Sequence, residues 1–153
     1  KATPARRYAY FLTPRGFAEK SRLTLAYLNR SMSFFREARK DCAETCALSH
    51  RMGWSRIVLA GRSDLAEIAA ICGLEAHIAV VAVVDPRPGA GQFIGAPVFK
   101  SFDAVDVPFD GVLITDLSEP HDTYAAAVTA VGAQRVLAPQ LLGIQPNQDR
   151  MAS

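Results

Sequence analysis

The hexapeptide Gly61-Arg62-Ser63-Asp64-Leu65-Ala66 follows a short apolar run, Arg56-Ile57-Val58-Leu59-Ala60, and opens a stretch with helical spacing. A glycine-led turn from a strand into a helix presents free backbone N–H groups and the positive end of the helix dipole, which suits an anionic group. Arg62 and the Ser63 hydroxyl stand beside that turn. Asp85 ends the next apolar run 24 residues after Gly61, near the place where an acid bonds ribose hydroxyls in dinucleotide sites. Two residues oppose that chemistry. Ser63 stands where the dinucleotide pattern has its second glycine, so a Cβ crowds the approach of a pyrophosphate, and Asp64 adds negative charge. Gly61, Arg62, Ser63, Asp85 and Thr115 are the candidate ligand-binding residues, with a nucleotide or nicotinamide-type molecule as the candidate ligand. The plainer alternative is a tight turn at Gly61 with Ser63 or Asp64 capping the helix.

No catalytic set accompanies this turn, so the chain is read as a non-enzyme. His50, His77 and His121 are scattered. His121 with Asp116, Asp122 and Thr115 falls near the carboxyl end of the Gly111–Asp116 run; in one reading this group lines the same crevice, and in the other it is explained equally well as a helix start. There Ser118 is the expected cap, Pro120 an early helical residue, and Glu119 and Asp122 favour the dipole. Cys42 and Cys46 share a helical face but continue an apolar seam, and no further ligand sits at metal-binding spacing. No metal site is expected. Three cysteines without a secretory signal argue against a disulfide framework and for a cytoplasmic setting.

The elements that position the turn alternate. After Arg56–Ala60 and a helix closing at Gly73 comes His77-Ile78-Ala79-Val80-Val81-Ala82-Val83-Val84-Asp85, a β-branched run without alternation, as expected of a strand buried on both faces. Gly111 to Asp116 reads as a strand, Glu119 to Val131 as a helix and Arg135-Val136-Leu137 as a strand, with a short apolar piece Ala96-Pro97-Val98-Phe99 inside a Pro- and Gly-rich stretch. The predicted fold class is α/β: a long N-terminal helix followed by a small three-layer parallel-sheet domain over residues 53–145, with a tail at 146–153.

From Pro14 to about Met52 no proline follows Pro14 and only Gly16 interrupts, which predicts one long helix. Leu25, Leu28, Met32 and Phe35 step by three, four and three residues, and the seam runs on through Arg39 to Cys42 and Cys46. This heptad-like face predicts a homodimer through residues 14–52. Ahead of it, Arg6-Arg7-Tyr8-Ala9-Tyr10-Phe11-Leu12 reads as a strand, residues 1–13 in all, whose partner is expected upstream of Lys1; the chain is therefore read as a piece of a longer protein. Charge divides along the same line. Residues 1–52 hold 11 Lys and Arg against 4 acids, and residues 53–153 hold 6 against 11. A basic front points to nucleic acid. No apolar run approaches the roughly 18 residues of a membrane span.

Two resemblances add to this reading. Residues 6 to 40, with Leu-Thr-Pro-Arg-Gly after an aromatic strand and then a long helix, look like the end of the winged helix-turn-helix of MarR-type bacterial regulators. That likeness implies a recognition helix upstream and a DNA-touching wing carrying Arg6 and Arg7, with Arg15 close by. Residues 56 to 138 are similar to Rossmann-like sensor or nucleotide-binding domains found beside sugar-modifying enzymes. The likeness rests on Gly61, Val84-Asp85, Gly95-Ala96-Pro97-Val98 and Asp110-Gly111-Val112-Leu113-Ile114-Thr115, and fails at Ser63. Together they imply a transcription regulator with a ligand-sensing domain. The rival expectations are the nucleotide-binding domain of a sugar-nucleotide or nicotinamide-dependent enzyme and a non-catalytic assembly domain.

Overall fold

The computed structural model describes residues 14–145, so the strand read at residues 1–13, with Arg6 and Arg7, and the tail at 146–153 lie outside the described residues. Helix α1 (Pro14–Arg51) is continuous and ends on His50 and Arg51, two basic residues favoured at the negative end of a helix dipole. The chain nevertheless divides inside this helix, one unit ending at Arg36 and the other beginning at Glu37. Within the first unit Leu25, Leu28, Met32 and Phe35 are 47–60% exposed, so this seam has no cover among the described residues. Arg15 lies in the first turn of the helix.

Beyond Glu37 the helix changes character. Ala38, Asp41, Cys42, Thr45, Cys46 and Ser49 are buried at helical spacing. The polar members of this stripe are satisfied locally: the Thr45 and Ser49 hydroxyls donate to the carbonyls of Asp41 and Thr45, and the Asp41 carboxylate accepts the Leu141 N–H at 2.8 Å. The second unit thus starts 16 residues before the Gly53 boundary suggested by the sequence, because the last turns of α1 supply part of its core.

The second unit is mixed α/β. Its sheet contains β1 (Arg56–Ala60), β2 (Ala79–Val84), β3 (Gln92–Phe93), β4 (Ala96–Phe99), β5 (Gly111–Ile114) and β6 (Val136–Leu137) in the order β3-β4-β2-β1-β5-β6. All pairs are parallel except the β3–β4 hairpin, which the sequence reading missed because each arm is so short. Apart from the exposed Arg56 that opens β1, strands β1 and β5 are apolar and buried, as a sheet covered on both faces requires. Helix α2 (Asp64–Glu75) joins β1 to β2, and α3 (Pro120–Val131) joins β5 to β6. These connections run to opposite sides of the β1–β5 pair, so right-handed crossovers put the two helices on opposite faces. The last turns of α1 share the α2 face, where the Arg39 guanidinium meets Glu75 and the Cys72 thiol donates to the Arg39 carbonyl.

Two sequence expectations are corrected. Gly73 does not close α2. The helix passes through it to Glu75, and the missing side chain lets the Ile78 backbone come close, with the Ile78 N–H donating to the Gly73 carbonyl at 2.8 Å. Ser118 does not cap α3: its hydroxyl donates to Asp116, and Glu119 occupies the cap position without a side-chain bond. Pro120 does hold an early helical position.

At the amino ends of the central strands the buried Trp54 ring covers the start of β5 so closely that a Cβ on Gly111 would enter it. Gly111→Ala should therefore cost about 1–3 kcal/mol, the usual price of overpacking. Adding Trp54→Phe should cost less than the two single changes combined, by urea unfolding; strict additivity would contradict the packing described.

Candidate functional site

In this strand order the chain builds outward from β1 to β2 and β4, then returns to place β5 and β6 on the other side. Such a reversal leaves a crevice at the carboxyl ends of the strands. A cavity of about 770 Å³ lies there, lined by the residues that follow four strands: Gly61 after β1, Asp85 and Pro86 after β2, Lys100 to Asp103 after β4, and Asp116 after β5. The remaining wall is Val84 at the end of β2, Glu119, and α3 through Asp122, Thr123, Ala125, Ala126, Thr129 and Ala130. A smaller hollow of about 310 Å³ shares Asp85, Asp116, Glu119 and Thr123 and adds Arg87 and Ser118. The return from β4 to β5 holds only the single 3-10 turn Phe102–Ala104 where a crossover helix commonly lies, which leaves this side of α3 open.

The floor is fastened by hydroxyls. Gly61 sits at φ +112°, and a Cβ there would lie 2.6 Å from Cα and Cβ of Asp116, so only glycine fits between the ends of β1 and β5. Fully buried Thr115 donates its hydroxyl to the Gly61 carbonyl at 2.6 Å. The Ser63 hydroxyl donates to the Thr115 carbonyl at 2.6 Å and accepts the Ala66 N–H at 3.1 Å, capping α2. Ser63 and Thr115 thus spend their side chains on the scaffold.

Asp85 is held still more firmly. Its Oδ2 accepts the Arg62 N–H at 3.0 Å and the Arg62 Nε at 3.3 Å, while Arg87 donates its backbone N–H to Oδ1 at 2.9 Å and Nη2 to Oδ2 at 2.6 Å. Arg62 also donates to the carbonyls of Arg87 and Pro88, and Arg87 returns a bond to the Arg62 carbonyl. The two loops interlock around one buried carboxylate. Burial pushes Asp85 up, but the Arg87 side chain and the Arg62 and Arg87 backbone N–H groups outweigh it and hold the group well below the usual carboxylate range. Asp116 follows the same balance: burial raises it, while the Thr123 hydroxyl and both Ser118 donors bring it below its ordinary value.

Of the five candidate ligand residues, the fold brings Gly61 and Asp85 to the cavity wall and turns Arg62, Ser63 and Thr115 into the bonds that shape it. The sequence reading brought Asp116 and Asp122 near this crevice together with His121, which does not line it, and missed Lys100 to Asp103 and the alanine side of α3. The helical period of Ala125, Ala126, Thr129 and Ala130 was available in the sequence, but small residues carry no chemical signal by themselves. Cys42, Cys46 and Cys72 are buried free thiols; desolvation pushes Cys42 up to about 12 and Cys46 to about 11, which disfavours the thiolate. No group of metal-binding side chains occurs among the described residues, and no helix among them is long and apolar enough to cross a membrane. Comparison with protein-family models, curated proteins and solved structures finds no match to this chain.

A group whose folded value is depressed contributes its stability above the unfolded value and loses it as pH falls towards the folded one. Asp85→Asn should therefore lower stability at neutral pH by roughly 2–3 kcal/mol, leaving two guanidinium groups without their carboxylate. The gap from the parent should narrow as pH drops below about 4. Urea unfolding across that range checks it, and a gap independent of pH would contradict the assigned cluster.

Proposed function

We propose that residues 37–145 form a small-molecule sensing domain of a DNA-binding transcription regulator. The observation that carries the sensing half is the cavity of about 770 Å³ at the carboxyl ends of β1, β2, β4 and β5, the place where doubly wound sheets hold ligands and a volume typical of small-molecule pockets. In this reading α1 pairs two copies through Leu25, Leu28, Met32 and Phe35, and a wing carrying Arg6 and Arg7, with Arg15 beside it, meets DNA. Its support is the uncovered apolar seam, the basic charge of residues 1–52 and the likeness to the end of a MarR-type winged helix.

The enzyme reading asks for a dinucleotide in the same crevice. The acid that would take its ribose is instead saturated by Arg62 and Arg87, and the hydroxyl at the second glycine position is engaged with Thr115 and Ala66. These observations favour the sensor over the nicotinamide enzyme.

The regulator reading expects a dimer that becomes a monomer on Leu28→Glu with Phe35→Glu, by sedimentation equilibrium. It also expects the full-length protein to bind DNA from ahead of its own gene with an affinity that falls steeply with salt. A parent chain that stays monomeric, or a full-length protein with no salt-dependent binding, would overturn it.

A further inference from the structure

No further inference is drawn: the strongest candidate, the crevice side of α3 facing Phe102, joins a small-residue face to exposed carboxylates at the helix start, and nothing in the structure shows what covers it.

Discussion

The carboxyl ends of β1 and β5 approach so closely that Gly61 has no room for a Cβ against the Asp116 backbone. The other features of the crevice depend on that approach. It brings the Thr115 hydroxyl to the Gly61 carbonyl and the Ser63 hydroxyl to the Thr115 carbonyl, tying the first turn of α2 to the end of β5. It also fixes Asp116 where its carboxylate can order the loop into α3 through Ser118 and Thr123. With the β1–β5 side sealed, open space remains towards β2 and β4, where the short return to β5 leaves α3 uncovered.

The second constraint lies on that open side. A carboxylate buried at the end of β2 must be compensated, and here two arginines from neighbouring loops do so with both side-chain and backbone donors. In dinucleotide-binding sheets an acid at this place bonds the ligand; in this chain it stands at the cavity wall with its oxygens held by Arg62 and Arg87. One sheet architecture can thus hold a crevice of ordinary size while its usual polar contact is already satisfied.

Much of this was legible from residue type and spacing. The unbroken β-branched run before Asp85, the glycine turn at Gly61 and the proline at the start of α3 placed the central strands and both crossover helices, because each reflects local backbone preference or burial on two faces. The limit of α1 within the core was not legible. Leu25 to Cys46 forms one seam in the sequence, yet Leu25 to Phe35 is exposed while Cys42 and Cys46 are buried near Cys72, and periodicity cannot say which partner covers which turn. The engagement of Asp85 was equally hidden, since it requires Arg62 and Arg87 to meet across loops 25 residues apart. Gly111 shows the same limit, its need for glycine being set by Trp54 from far along the chain.

The central claim is that the chain's own arginines occupy the place a nucleotide would take. Calorimetric titration of the whole chain with NAD tests it most directly. The account predicts no saturable heat up to millimolar nucleotide, in the parent chain at moderate salt. A micromolar dissociation constant would contradict it, because a ligand bound that tightly, worth about 8 kcal/mol, would have to reach past the Arg62–Asp85–Arg87 cluster as it stands.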